Sequence, residues 1–252
     1  MKLFYFGCIL VSLMLASSAG QAKADVVLNG GFLPNQQGWD VLTDFNLPPD
    51  VSTDGNTLTV NTIGISPPGI PSGQYTLFYR DVGIDVASGF SLELILKVLE
   101  VSQPHNFLDA GIAFLASYNP NVAAGSGTER EQLIFFDENS IGWGDESSSF
   151  ALDTTKDFRT YRLSVDKSGI ASVFVDNVLA LQRSGFQTNG IIAFGDQTND
   201  FGIESRFAVK SISVEKISVP EPSSILGFLT PSILGIGLSL KNKLKKQKKT
   251  KA

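Results

Sequence analysis

The chain has 252 residues, one cysteine, one histidine and a formal charge of −5 from 20 basic and 25 acidic side chains. Nine of the basic residues and one of the acidic ones lie in the two ends, so the middle, residues 25–219, holds 11 basic against 24 acidic, a net of −13. That charge argues against a nucleic-acid or anionic-membrane partner, and a single histidine rules out a multi-histidine zinc centre.

Residues 1–24 have the three parts of a secretory signal peptide. Lys2 supplies the positive start, an apolar run follows from Leu3 to about Ala16, and Ala22-Lys23-Ala24 forms a small-residue cleavage site. The run is shorter than the ~20 residues that a membrane-spanning helix needs. The expectation is therefore cleavage, with Asp25 as the first mature residue; the alternative is an uncleaved anchor. Cys8, the only cysteine, sits inside the apolar run. It is misplaced for lipid attachment, and the mature chain is left without disulfides or a thiolate metal site.

The middle, 25–219, reads as one all-β domain. Helical periodicity is scarce and strand signals are many. Candidate strands in the first half are 57–63, 74–79, 90–101, 110–118 and 131–136. The run from Phe90 to Val101 reads as apolar on both faces, which predicts a central strand. Proline- and glycine-rich loops separate these strands, notably 63–73 and 119–128. Later the pattern sharpens. Tyr161, Leu163 and Val165 alternate with Thr160, Arg162 and Ser164, a period of two with one face buried. Asp166-Lys167-Ser168-Gly169 reads as a turn, 170–175 as the next strand, Asp176-Asn177 as a tight hairpin turn, and 178–181 as the return. Two more strands are expected at 190–194 and 207–214. Short strands and polar loops in this order predict a β-sandwich.

Two stretches carry a resemblance. Phe158-Arg159-Thr160-Tyr161-Arg162-Leu163-Ser164-Val165-Asp166, then Ala171 to Asn177, then Gly190-Ile191-Ile192-Ala193-Phe194-Gly195-Asp196 resemble the back half of a laminin-G-like or concanavalin A-like lectin domain. Asn177 stands where that family usually has glycine, and asparagine tolerates the left-handed conformation needed there. Near the start, Asn29-Gly30-Gly31-Phe32 followed by Gly38-Trp39 is similar to the opening strand of several jelly-roll carbohydrate-binding modules. Both resemblances imply a concanavalin A-like jelly-roll sandwich and a carbohydrate ligand.

Candidates for chemistry are few. The one histidine, His105, lies in a loop sequence, Gln103-Pro104-His105-Asn106, where solvation is the ordinary role. Glycoside hydrolysis needs two carboxylates held a few ångströms apart, and the Glu-x-Asp-x-x-Glu strand motif of lectin-like glucanases does not occur. The expectation is a protein without enzymatic activity. For binding, Ile141-Gly142-Trp143-Gly144-Asp145-Glu146 places an aromatic plate beside carboxylates. Sugar rings stack on such plates while carboxylates bond their hydroxyls. Trp143, Asp145 and Glu146 are the ligand-binding candidates, with Trp143 equally readable as core; Trp39 reads as core. Gly195-Asp196-Gln197-Thr198-Asn199-Asp200 is rich in oxygen donors. Asp196, Asn199 and Asp200 are candidate calcium ligands, although the spacing is not that of an EF-hand loop and an ordinary polar turn explains them as well. No other cofactor is implied.

The C-terminal segment, 220–252, begins with Pro220-Glu221-Pro222. An apolar stretch follows, beginning at Ile225 and ending at Leu240, and seven lysines crowd the last twelve residues. Sixteen helical residues reach roughly 24 Å, and lysine stems extend the span by snorkelling. The lysines belong on the cytoplasmic side, so the domain lies outside, the side to which the N-terminal signal also sends it. Pro220 and Pro222 exclude helix before the apolar stretch and keep the site extended. This tail resembles the PEP-CTERM sorting signal. The resemblance implies an exosortase partner, transient membrane anchoring through the hydrophobic helix, and a final place on the cell surface or in an exopolysaccharide matrix; a permanent anchor is the alternative. The functional expectation is an exported domain that binds extracellular polysaccharide. The alternatives are a structural matrix protein without a small ligand and, behind it, a glycoside hydrolase.

Overall fold

The computed structural model describes residues 24–43, 50–64, 76–102, 111–120, 132–197 and 204–216, all within one compact unit, Ala22–Ser218. The signal peptide, the sorting motif Pro220-Glu221-Pro222, the apolar C-terminal stretch, His105, Asn199 and Asp200 lie outside the described residues.

Apart from one 3-10 turn at Pro34–Gln37, every regular element described is a strand. In chain order they are β1 (Asp25–Asn29), β2 (Asp40–Thr43), β3 (Asp50–Thr53), β4 (Leu58–Asn61), β5 (Thr76–Asp81), β6 (Phe90–Ser102), β7 (Ile112–Leu115), β8 (Leu133–Phe136), β9 (Ser140–Trp143), β10 (Ser149–Ala151), β11 (Arg159–Val165), β12 (Ala171–Val175), β13 (Val178–Arg183), β14 (Ile191–Asp196) and β15 (Glu204–Lys216). They form two sheets. One runs β13-β12-β11-β6-β15-β4-β3, with β1 also on β15; the other runs β10-β9-β8-β7-β14-β5-β2. Every pairing is antiparallel. The expected all-β sandwich is what forms.

Period-two sequence explains the first sheet. Leu92, Leu94, Leu96 and Val98 of β6 are buried, as are Tyr161, Leu163 and Val165 of β11. Each such side chain contributes roughly 1.5–3 kcal/mol by leaving water. β6 is central as predicted, but it is not apolar on both faces. Ser91, Glu93, Ile95 and Lys97 point outward and are half-buried. The Asp176-Asn177 turn has φ values of 48° and 70°, the doubly left-handed turn that matches strand twist in a two-residue hairpin.

The second sheet is different. Its inward residues, among them Phe78, Ile112, Phe114, Ile134, Phe136, Ile141, Trp143 and Phe194, join the inter-sheet core. Its outward residues are apolar and buried too: Leu77, Ala113, Leu115, Tyr118, Leu133, Phe135 and Ala193 form a second cluster. This sheet is therefore covered on both faces. Along it, Gly195 (φ 148°) stands where a Cβ would lie 2.0 Å from the Thr76 carbonyl, so only glycine lets β14 approach β5 here.

The two ends of the sandwich carry different connections. At one end, Phe136 lies opposite Ile112, Ile112 opposite Asp196, and Asp196 opposite Thr76. The connections β4–β5, β6–β7 and β14–β15 begin and finish here. At the other end are the start of β1 and the finish of β15, so the chain enters and leaves the sandwich away from those loops.

Candidate functional site

Trp143 is not a ligand platform. It closes β9, pairs with Ile134 of β8, and points between the sheets with no exposed surface. Phe186 packs 6.4 Å from its ring and the Arg183 guanidinium caps it at 5.2 Å. Gly142 beside it serves packing, since a Cβ there would meet the Phe135 ring at 2.3 Å. Burial of an indole outweighs any role at the surface.

Asp145 and Glu146 lie in the turn after β9. Asp145 accepts hydrogen bonds from Arg183 Nη2 at 3.0 Å and from Ser147 Oγ at 2.7 Å. Partial burial opposes its ionisation, but the Ser147 and Arg183 hydrogen bonds outweigh that and hold its carboxyl below the ordinary carboxylate value. The pair fastens the turn after β9 to β13 at the edge where the two sheets end. Glu146 is exposed in that turn, with φ 65°.

Asp196 is fully buried. It ends β14 and crosses to the other sheet, accepting from Thr62 Oγ1 at 2.5 Å and from Ser205 Oγ at 2.9 Å. Ser205 N in turn donates to Thr62 Oγ1 at 2.8 Å. A buried carboxylate is stable only when donors surround it, and these two hydroxyls tie the sheets together. Next to it on β5, Thr76 Oγ1 is buried without a partner.

The same end holds a group that sequence reading passed over. Asp137 and Ser140 flank the Glu138-Asn139 turn between β8 and β9, and Asp137 N donates to Ser140 O at 2.9 Å. Asp137 is 7% exposed and Ser140 8%. Asp137 Oδ1 and Ser140 Oγ have no hydrogen-bond partner. Burial pushes the Asp137 carboxyl above the ordinary carboxylate value, against the backbone N–H groups of Glu138 and Asn139. Glu138 accepts from Val101 N at 3.1 Å, and Glu204 accepts from Gly64 N at 2.6 Å. Asp137, Glu138, Asp196 and Glu204 thus all lie at this end of the sandwich without converging on one point. One carries an oxygen that is buried and unsatisfied, a state costing about 1–3 kcal/mol per group. The signal in the sequence was the acidic turn Asp137-Glu138-Asn139-Ser140 directly after an apolar run.

Calcium takes six to eight oxygen ligands. Among the described residues no three acidic, histidine or cysteine side chains converge on one point, and Asp137 Oδ1 and Ser140 Oγ alone do not make such a set. Of the candidate calcium ligands only Asp196 is described, and its carboxylate accepts from Thr62 and Ser205. Elsewhere, an apolar hollow of about 190 Å³ lies between β2 and β3 against Trp39, Val41, Val51 and Phe78. Trp39 itself is core, as expected: its Nε1 donates to Val27 O at 2.9 Å and its ring meets Phe194 edge-on.

No protein-family model matches the sequence, and no curated protein matches it. Solved structures similar to this chain include the Emp47p carbohydrate recognition domain, at 12% identity and TM-score 0.49, over 79% of this chain and 99% of that one. Another is the VIP36 exoplasmic/lumenal domain with Ca2+ and Man3GlcNAc bound, at 12% identity and TM-score 0.46, over 74% and 86%. A third is a conserved carbohydrate esterase from the Shiga toxin-encoding bacteriophage phi24B, at 14% identity and TM-score 0.48, over 78% and 100%.

Proposed function

We propose that this is an exported, non-enzymatic binding protein, sorted by an exosortase to the cell surface or extracellular matrix, whose β-sandwich holds extracellular polysaccharide at its loop end. The carrying observation is the Asp137–Ser140 pair. A carboxylate oxygen of Asp137 and the hydroxyl of Ser140 flank one turn, joined by the Asp137 N–H to Ser140 O bond, and both are buried without a hydrogen-bond partner. Where the turn opens to a ligand, a hydroxyl can donate to the first or accept from the second. Sugars present such hydroxyls in quantity, whereas the acidic character of the middle disfavours polyanions. Export and sorting rest on the two end segments, residues 1–24 and 220–252.

The burial of Trp143 favours a second reading, a structural matrix protein without a small ligand, because it removes the expected stacking surface. Retention of the purified full-length protein on insoluble glucan, xylan and mannan separates the two. The binding reading expects retention on at least one that soluble sugar competes away. No retention on any polysaccharide supports the structural reading. A second measurement tests sorting: deleting 220–252 is expected to release the protein into the medium, and unchanged surface attachment would refute that role.

A further inference from the structure

Opposite the loop end, a cleft of about 500 Å³ is lined by Asp25, Arg80, Asp81, Gly83 and Lys216, with valine walls. We propose that this cleft seats the α-ammonium group that signal cleavage leaves on Asp25, paired with the Asp81 carboxylate. The inference rests on the export reading above. β1 begins at Asp25, already opposite Val214 of β15, while Ala24 before it is exposed and outside the strand. The expected cleavage bond therefore coincides with the border of the fold.

The charged groups facing the cleft are Asp25, Arg80 and Asp81, and Lys216 from β15. Arg80 is committed elsewhere: its Nη1 donates to Val27 O at 3.0 Å and to Gln37 O at 2.8 Å. Asp81 Oδ1 accepts from Gly83 N at 2.9 Å. That bond uses only part of the acceptor capacity of a carboxylate, whose other oxygen is available. Lys216 Nζ lies 3.3 Å from where a Cβ on Gly83 would stand, on the same wall. A peptide N–H at residue 25 brings no charge here, as in the precursor. Cleavage turns it into a cation at the first ladder position of β1, so processing itself fastens β1 to the domain.

The test is made on protein recovered after export. N-terminal sequencing is expected to give Asp25. The pH profile of α-amine labelling is expected to have its midpoint above the ordinary range of about 7.7–8.0 for a terminal amine. Asp81→Asn should lower that midpoint by a few tenths of a pH unit, the size an exposed ion pair supports. Lys216→Met, which removes a like charge, should raise it. A different first residue, or a midpoint that ignores Asp81→Asn, overturns the proposal. Polysaccharide retention is measured on the same samples, so loss of this pairing with retention intact leaves the binding reading standing.

Discussion

Replacing Asp196 with alanine removes the acceptor that joins the two sheets at the loop end. Thr62 Oγ1 and Ser205 Oγ both donate to it, and all three residues are fully buried. Leaving a buried polar group unsatisfied costs about 1–3 kcal/mol. Ser205 Oγ loses its acceptor, whereas Thr62 Oγ1 keeps the Ser205 carbonyl 3.1 Å away, which puts the loss at ~2 kcal/mol. For a domain of this size 1 kcal/mol moves the melting temperature by about 2–4 °C, so Asp196→Ala should melt roughly 4–8 °C below the parent. Circular dichroism melts of the full-length protein at pH 7 measure it. Asp196→Asn, which keeps one carbonyl acceptor, should lose less than alanine. A melt within about 2 °C of the parent for Asp196→Ala would show that the cross-sheet network is not a support of the fold.

Trp143→Ala should cost about 3–5 kcal/mol, as truncation of a buried aromatic does, and near-parental urea stability would contradict its place in the core. Gly195→Ala forces a methyl to within 2.0 Å of the Thr76 carbonyl; a loss above about 4 kcal/mol is expected, read from soluble yield and melting, and a folded variant of normal stability would refute the close approach. Asp145 has a lowered folded-state pKa. Its contribution is therefore present above the unfolded carboxylate value and fades as pH falls through the folded one. Asp145→Asn should destabilise the protein at pH 7 and lose less further stability than the parent between about pH 4 and pH 2; acid denaturation curves that superimpose would sink this.

Where local pattern and tertiary role agree, the fold was legible from sequence alone. The alternation at Tyr161, Leu163 and Val165 announced β11, and the Asp176-Asn177 turn announced the β12–β13 hairpin. The Ile141–Glu146 segment misled because glycines beside a tryptophan resemble an exposed loop. Gly142 is small because the Phe135 ring of the neighbouring strand fills the place of its side chain, a cross-strand contact that no local window contains. The second apolar cluster was hidden for a similar reason: Leu133, Phe135, Ala113 and Leu115 reveal that both faces are buried, but not what lies over the outer one. Asp196 was singled out for its oxygen-rich loop, yet its partners Thr62 and Ser205 lie 134 and 9 positions away. The site at Asp137 and Ser140 was missed because unsatisfied atoms are a property of packing, and their acidic turn reads locally as solvated.

The central claim, that the loop end holds a ligand through Asp137 and Ser140, is tested most directly by setting stability against retention in one variant, Ser140→Ala. Removing a buried hydroxyl that has no internal partner should leave the melting temperature unchanged or raise it by a few degrees. If a polysaccharide hydroxyl is the missing partner, the same variant should be retained at least about tenfold less on the polysaccharide that holds the parent, the loss of ~1.4 kcal/mol. Retention equal to the parent's, with stability equal or higher, would contradict the account and reduce the pair to a buried polar defect.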